Sequence, residues 1–208
     1  MVIPAILAKS REEFEKKIKK IAPHADTIQI DAMDGAFVPN KTWADADTIE
    51  HLHLPMKFEA HLMVKNPEHG AIEEWAEAGA FRIIFHIEAT KKPEECLRQI
   101  KKFRREAGAA INPKTPLKKI KGLLPRLDYA LVMGVEPGFS GQKFQSGILG
   151  RIKKIKTLAP KIRIGIDGGV NKSNAKKITA AGADYLCAAS SIFRSKNIAK
   201  AIEELNGT

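Results

Sequence analysis

The stretch that decides the fold class runs Val2-Ile3-Pro4-Ala5-Ile6-Leu7 and continues, after Ala8 and Lys9, as Ser10-Arg11-Glu12-Glu13. The apolar run predicts a short strand that is buried on both faces. A serine followed three residues later by a glutamate is a capping box, which opens a helix. Apolar residues then recur at helical spacing and predict one buried helix face: Phe14, Ile18 and Ile21. The chain therefore begins as a strand followed by a helix.

This alternation of strand and helix repeats about eight times along the chain. The predicted strands cover residues 2–7, 27–30, 58–64, 82–87, 109–111, 129–133, 162–166 and 185–188. The predicted helices cover residues 10–21, 44–51, 67–78, 93–106, 115–123, 148–159, 174–181 and 198–205, and two of them start with an N-cap and a proline at Asn66-Pro67 and Thr115-Pro116. Such units in one domain over residues 1–208 predict an α/β fold, a single (βα)8 TIM barrel, with a doubly wound sheet as the alternative.

The composition is that of an ordinary globular protein. The chain has 208 residues, of which 44% are hydrophobic and 28% charged, and this excludes a disordered or collagenous protein. No apolar run approaches the roughly 20 residues that span a bilayer, and the apolar start is too short for a signal peptide. We therefore expect no membrane partner and a cytoplasmic location. Cys96 and Cys187 lack a CxxC or metal-binding spacing and are expected to be reduced thiols.

The formal net charge of +11 admits polyanions as partners. The lysines lie in short groups interleaved with Ile or Leu, as in residues 16–20, 118–121 and 153–156, which is typical of the solvated faces of amphipathic helices. No zinc-finger spacing, aromatic RNA-binding motif or helix-turn-helix accompanies them. We therefore expect no nucleic-acid partner.

Polar residues gather at the predicted carboxyl ends of the strands, where both candidate folds place their chemistry. They are Gln29, Asp31, His61, His86, Glu88, Asn112, Glu136 and Asp167. Asp31 and Asp167 fall on strands that are nearly opposite in an eight-stranded barrel, an arrangement suited to proton transfer at both faces of one carbon. The alternative is that each aspartate caps a loop or a helix. His61 is either a core histidine or a metal ligand or acid/base group.

Two glycine-bearing stretches have the composition of phosphate sites. Residues 134–142 follow the sixth predicted strand, and Asp167-Gly168-Gly169 follows the seventh. Glycines let backbone N–H groups approach an anion closely, and a helix start near Ser190 adds its dipole. Either stretch alone is as well explained by a plain turn. Their positions after consecutive strands of a barrel favour a ligand of the size of a sugar phosphate.

Five ordered motifs carry a resemblance to a known family. They read Pro4-Ala5-Ile6-Leu7, Asp31-Ala32-Met33-Asp34-Gly35-Ala36-Phe37-Val38-Pro39-Asn40, His61-Leu62-Met63-Val64, Val132-Met133-Gly134-Val135-Glu136-Pro137-Gly138-Phe139-Ser140-Gly141-Gln142-Lys143-Phe144 and Ile166-Asp167-Gly168-Gly169-Val170. Together they resemble the ribulose-phosphate 3-epimerase family from end to end. The resemblance implies a TIM barrel that interconverts D-ribulose 5-phosphate and D-xylulose 5-phosphate through an enediolate.

The resemblance also implies roles for individual residues. By position, Asp31 and Asp167 are the acid and base that act on the two faces of C3. The family's divalent metal is held by two histidines and these two aspartates, and here His61 matches one histidine while Gln29 stands in place of the other. The implied metal site of Asp31, His61 and Asp167 is therefore weakened. The candidate ions are zinc, iron(II), manganese and cobalt.

Further positions are implied to bind the substrate. They are His61, Met33, Met63, Met133, Gly138, Phe139, Ser140, Gly141, Gly168, Gly169, Ala189 and Ser190. Ala5 stands where the family has a serine that contacts the substrate, and Ala189 stands where it has a glycine. Residues 138–141 match the glycine-rich lid loop of the family, and Ser140 stands there in place of a glycine. The family commonly associates through barrel surfaces, which leaves a homo-oligomer open.

Two alternatives to ribulose 5-phosphate epimerisation stay open at this point. The small side chain of Ala5 leaves room for another ketose phosphate, such as a hexulose 6-phosphate. A non-catalytic barrel that binds a sugar phosphate or RNA is supported by the net charge alone. Decarboxylases that resemble this fold carry Asp-x-Lys on the third strand, and the chain has no such motif, so decarboxylation is disfavoured.

Overall fold

The strands form a closed parallel barrel. The computed structural model describes residues 1–207, and Thr208, the last residue of the predicted domain, lies outside them. The strands are β1 (Val2–Ile6), β2 (Thr27–Met33), β3 (Lys57–Met63), β4 (Arg82–His86), β5 (Glu106–Ile111), β6 (Tyr129–Met133), β7 (Arg163–Asp167) and β8 (Tyr185–Ala188). They pair in chain order, and β8 pairs with β1 to close the barrel. The predicted (βα)8 TIM barrel is confirmed.

Helices cover the outside of the barrel. They are α1 (Arg11–Ile21), α2 (Ala46–His51), α3 (Ala71–Glu77), α4 (Pro93–Lys102), α5 (Lys118–Lys121), α6 (Ile148–Leu158), α7 (Ala175–Ala180), α8 (Ser190–Phe193) and α9 (Ile198–Asn206), with short 3-10 turns at Pro67–His69 and Leu124–Arg126. At α1 the Ser10 side chain accepts a hydrogen bond from the N–H of Glu13, as the capping box predicts. No helix within residues 1–207 is both long and apolar enough to cross a membrane.

Alternate side chains along each strand face either the outer core or the barrel interior. Successive side chains of a strand point to opposite faces. In β2, residues Ile28, Ile30 and Ala32 belong to the outer core between strands and helices. The residues between them face the barrel interior, where Gln29 reaches Asp167 on β7. Strand β2 thus packs with one face and presents polar groups with the other.

The amino-terminal half of the barrel interior is filled by Arg82 and the groups around it. Its guanidinium lies 4.0 Å from the ring centroid of Tyr129 and pairs with Glu59 at 2.5 Å and Glu106 at 2.8 Å. A side chain at Gly165 would place its Cβ 1.8 Å from the Tyr129 hydroxyl, so glycine is required there. Because this end is filled, a ligand enters the barrel from the carboxyl end.

Two predicted helix starts were wrong. Asn66 is not an N-cap: it adopts a left-handed conformation with φ of 50°, and its N–H donates to the carbonyl of Ala89 at 2.8 Å. Pro67 therefore opens a 3-10 turn, and α3 begins only at Ala71. Thr115 is not an N-cap either: Leu117 precedes the first residue of α5, which covers only Lys118–Lys121.

Candidate active site

Four buried side chains meet at the carboxyl end of the barrel. The Nε2 atom of Gln29 donates to Asp31 Oδ1 at 2.7 Å and to Asp167 Oδ2 at 2.9 Å. The Nδ1 atom of His61 lies 2.9 Å from Asp31 Oδ1 and 3.3 Å from Asp167 Oδ2. The sequence predicted Asp31, His61 and Asp167 as one site, and the structure brings them together with Gln29 at their centre.

Strand register explains why these groups converge. Asp31 on β2 pairs directly with His61 on β3, and Asp167 is the last residue of β7. The Thr42 hydroxyl donates to the backbone carbonyl of Asp31 at 2.8 Å and accepts from the N–H of Met33 at 2.9 Å. This bridge holds the end of β2, and so fixes the direction of the Asp31 carboxylate.

Burial and mutual repulsion perturb the protonation of the cluster. Burial first, and then the nearby charge of Asp167, raise the pKa of Asp31 to about 6, although hydrogen bonds from His61 and Gln29 act in the opposite direction. Burial alone would lower the pKa of His61, but its hydrogen bonds to Asp167 and Asp31 outweigh burial and raise this pKa to about 9. At neutral pH His61 is therefore an imidazolium held between carboxylates.

A second histidine supports His61 from the opposite side. His61 Nε2 lies 2.8 Å from His86 Nε2, and burial lowers the pKa of His86 to about 4, so the neutral His86 ring accepts this hydrogen bond. His86 Nδ1 in turn lies 3.4 Å from Glu88 Oε2. The sequence placed both His86 and Glu88 at a strand end but assigned them no role. Only the structure connects them to His61.

A cleft lies over the two aspartates. Asp31 and Asp167 line it, and so do the predicted residues Met33, Met63, Met133, Gly138, Phe139, Ser140, Gly141, Gly168, Gly169, Ala189 and Ser190. His61 does not line it, because its side chain is fully buried beneath the carboxylates. The three methionine side chains make the wall beside the aspartates apolar. Apolar walls exclude water and strengthen electrostatic interactions in the cleft.

Close packing of glycines shapes the other wall. A Cβ on Gly134 would lie 2.2 Å from the carbonyl oxygen of Gly168, and a Cβ on Gly169 would lie 2.6 Å from the backbone nitrogen of Phe144. The loops after β6 and β7 therefore touch backbone to backbone. Phe139, in the loop after β6, is 54% exposed.

A basic cavity of about 440 Å³ adjoins this cleft and shares five of its lining residues, among them Ser140, Ala189 and Ser190. Ala5 and Arg194 also line the cavity, together with Lys9 and Lys17. The Arg194 guanidinium lies against Gly141 of the lid loop, and it makes no ion pair or hydrogen bond with any of residues 1–207. The sequence analysis missed Arg194, although it lies four residues after Ser190.

Three of the converging side chains have the composition of a metal site. Asp31, His61 and Asp167 each offer one ligand atom, and these atoms lie within 4.8 Å of one another. Atoms bound to one ion at about 2.0–2.2 Å lie about 2.8–3.6 Å apart in octahedral or tetrahedral geometry. The printed separations between His61 and the carboxylates, 2.9 and 3.3 Å, fall in this range. The residues present therefore fit a divalent cation.

Comparison with known proteins identifies the family. The sequence profile of the Ribulose-phosphate 3 epimerase family matches residues 1–193. The chain belongs to this family. It is 36% identical to the ribulose-phosphate 3-epimerase of Bacillus subtilis, covering 100% of this chain and 98% of that protein. It is 35% identical to the enzyme of Mycobacterium tuberculosis, with 99% and 91% covered, and 34% identical to that of Escherichia coli, with 99% and 94% covered.

Solved structures support the fold alone. The chain aligns with a 3-hexulose-6-phosphate synthase at a TM-score of 0.75 and 15% identity, over 99% of this chain and 98% of that one. It aligns with 3-keto-L-gulonate-6-phosphate decarboxylase from Vibrio cholerae at a TM-score of 0.76 and 13% identity, over 100% and 95%. These barrels share the architecture of this member of the epimerase family.

Proposed function

We propose that this protein interconverts D-ribulose 5-phosphate and D-xylulose 5-phosphate by proton transfer at C3, with Asp31 and Asp167 as the acid/base pair. One observation carries the proposal: two carboxylates from different strands meet beneath one cleft and are joined by the Gln29 amide. Family membership supplies the reaction class.

The two aspartates exchange roles with the direction of the reaction. One ionised carboxylate removes the C3 proton, the electron pair of the C–H bond forms a C2–C3 double bond, and the π pair of the C2 carbonyl moves onto its oxygen, which gives an enediolate. The other carboxyl, protonated, delivers its proton to the opposite face of C3, and the configuration inverts. A pKa of about 6 for Asp31 makes both of its protonation states accessible near neutral pH.

Asp31, His61 and Asp167 are proposed to hold a divalent cation, with zinc, iron(II), manganese and cobalt as the candidates. Such an ion supplies Lewis-acid polarisation of the ketone. The chain's own contribution is to fix the carboxylates: Thr42 holds the end of β2, and His86 keeps the His61 ring in place. The methionine wall excludes water from the reacting carbon.

The phosphate of the substrate is proposed to bind at the opposite end of the cleft. The glycines of the loops after β6 and β7 and the backbone at Ala189 and Ser190 line this end. Glycine-rich backbone approaches an anion closely. Arg194, which has no protein anion as a partner among the described residues, adds a positive charge beside the lid loop.

An epimerase of a longer ketose phosphate is the second candidate. The cavity lined by Ala5 and Arg194 opens beside the cleft and provides space for an additional carbon. Its position next to the lid is the observation that favours this alternative. We place either activity in the cytoplasm, since Cys96 and Cys187 are buried, free thiols that suit a reducing compartment.

The test follows each substrate by NMR with metal-stripped protein and with each candidate ion. Formation of xylulose 5-phosphate from ribulose 5-phosphate is the expected result. A hexulose 6-phosphate, tested in parallel, should react more slowly. Failure of ribulose 5-phosphate with every ion would contradict the proposal, and faster reaction of the hexulose 6-phosphate would favour the second candidate.

A further inference from the structure

The carboxamide of Gln29 is satisfied at one end only. Its Nε2 atom donates to both catalytic aspartates, whereas its Oε1 atom is buried and has no hydrogen-bond partner among residues 1–207. Buried polar atoms without a partner are rare in folded proteins, so each one calls for a physical explanation. This one belongs to the side chain at the centre of the carboxylate cluster.

The inward atom of Gln29 lies at the spacing of a fourth metal ligand. It is 2.7 Å from Asp31 Oδ1, 2.9 Å from Asp167 Oδ2 and 3.4 Å from His61 Nδ1. These separations resemble the about 2.8–3.6 Å between atoms that share one ion. The cluster thus has four converging atoms, of which Gln29 supplies one.

The orientation of the amide depends on what lies between the carboxylates. The two ends of a carboxamide are nearly equal in size, so a half-turn about its terminal bond exchanges Nε2 and Oε1. With no cation, the inward atom must be Nε2, because an oxygen at 2.7 and 2.9 Å from two carboxylate oxygens would be repelled. With a cation in the cluster, the inward atom must be Oε1, because the N–H groups cannot ligate it.

We propose that Gln29 is a two-state metal ligand: its Nε2 bridges Asp31 and Asp167 in the metal-free protein, and its Oε1 turns inward to ligate the cation. The assignment rests on the metal site of the proposed function. The resulting donor set has three oxygens and one imidazole nitrogen. An oxygen-rich set suits manganese better than a set with two imidazoles does.

Metal titration of the Gln29→Ala variant tells whether Gln29 ligates the ion or only blocks its site. The two cases predict opposite changes in metal affinity. Binding of Mn²⁺ to metal-stripped protein is followed by electron paramagnetic resonance. If Gln29 ligates the ion, Gln29→Ala weakens Mn²⁺ binding by about tenfold or more. If the amide only occupies the space between the carboxylates, its removal strengthens binding or leaves it unchanged, and the proposal is wrong. Gln99→Ala on α4 is the control and should bind Mn²⁺ as the wild type does.

The amide itself reports its orientation in the unmodified protein. The Gln29 side-chain NH2 signals are assigned by their loss in the ¹⁵N–¹H spectrum of Gln29→Ala. In metal-free protein both protons donate to carboxylates and should be protected from solvent exchange. Saturating Zn²⁺ should shift both signals upfield, because the NH2 group then loses its two carboxylate acceptors. Unchanged signals at saturation would overturn the proposal even if Gln29→Ala failed to fold.

Activity is measured separately, so the two proposals can fail independently. A wild-type protein that binds neither Mn²⁺ nor Zn²⁺ refutes the role of Gln29, whether or not it epimerises ribulose 5-phosphate. A protein whose Gln29 amide responds to metal, yet which never converts this substrate, retains the two-state ligand and contradicts the proposed function.

Discussion

Replacing Asp31 with asparagine should stabilise the fold while removing activity. The carboxylate is 3% exposed and lies close to a second carboxylate, Asp167. Asparagine has nearly the same shape and keeps an oxygen that accepts the hydrogen bond from Gln29. It cannot carry a negative charge, which burial and the nearby Asp167 both disfavour at this position.

The size of the effect follows from the raised pKa. The pKa of Asp31 rises from its ordinary 3.8 to about 6 in the folded protein, chiefly because the carboxyl is buried. Each pH unit between the two values corresponds to about 1.4 kcal/mol, so the ionised carboxylate lowers the free energy of unfolding by about 3 kcal/mol at neutral pH. For a protein of this size, 1 kcal/mol shifts the melting temperature by about 2–4 °C.

The difference in stability between Asp31→Asn and the wild type depends on pH. Between pH 3.8 and about 6 the folded protein binds more protons at Asp31 than the unfolded chain does, so this group's contribution to stability falls as the pH rises. The stability gained in Asp31→Asn should therefore be absent below pH 3.8 and grow through this window. Urea unfolding at several pH values, followed by circular dichroism, measures this difference.

A surface substitution controls for the loss of charge alone. Asp26 is exposed, so Asp26→Asn makes the same chemical change away from the buried cluster and should alter stability little. Epimerisation by Asp31→Asn should fall by at least about 10²-fold, the usual effect of losing a general acid or base. An Asp31→Asn protein that is less stable than wild type at neutral pH, or that stays fully active, would refute this reasoning.

Four further predictions concern the metal, the loops and the phosphate. Gln29→His should increase the zinc content of purified protein, measured by elemental analysis, because an imidazole binds zinc more strongly than an amide oxygen. Metal affinity should rise with pH up to about 9 in calorimetric titrations, because the ion competes with the proton on His61, whose pKa is raised to about 9. Gly134→Ala should lower the free energy of unfolding by about 1–3 kcal/mol in urea, because the new Cβ would lie 2.2 Å from the Gly168 carbonyl oxygen. Arg194→Ala should raise KM for the sugar phosphate with little change in kcat, and an unchanged KM would exclude a phosphate contact.

Local sequence patterns predicted most of the fold. The apolar runs gave the strand positions, and the capping box at Ser10 placed the start of α1. The start of α3 could not be predicted, because Asn66 takes its conformation from a backbone contact with the distant Ala89. Likewise, nothing local marks Arg82 as the residue that fills the barrel. Its burial depends on carboxylates that two other strands supply.

The candidate site was predictable as a set of residues but not as a network. Strand ends and the family motifs pointed to Asp31, His61 and Asp167, and the structure brings these side chains within hydrogen-bond distance. The sequence indicated only that Gln29 departs from the family. That its amide bridges both carboxylates depends on the closure of the barrel, which brings β2 and β7 to the same interior space.

The most direct test of the two-aspartate mechanism is solvent-deuterium exchange at C3, followed by NMR for each variant and each epimer separately. Wild-type protein should exchange and interconvert D-ribulose 5-phosphate and D-xylulose 5-phosphate. Asp31→Asn and Asp167→Asn should each form no opposite epimer, and each should exchange the C3 proton of one epimer only, a different epimer for each variant. A variant that exchanges both epimers, or two variants that exchange the same one, would contradict proton transfer by these two carboxylates on opposite faces.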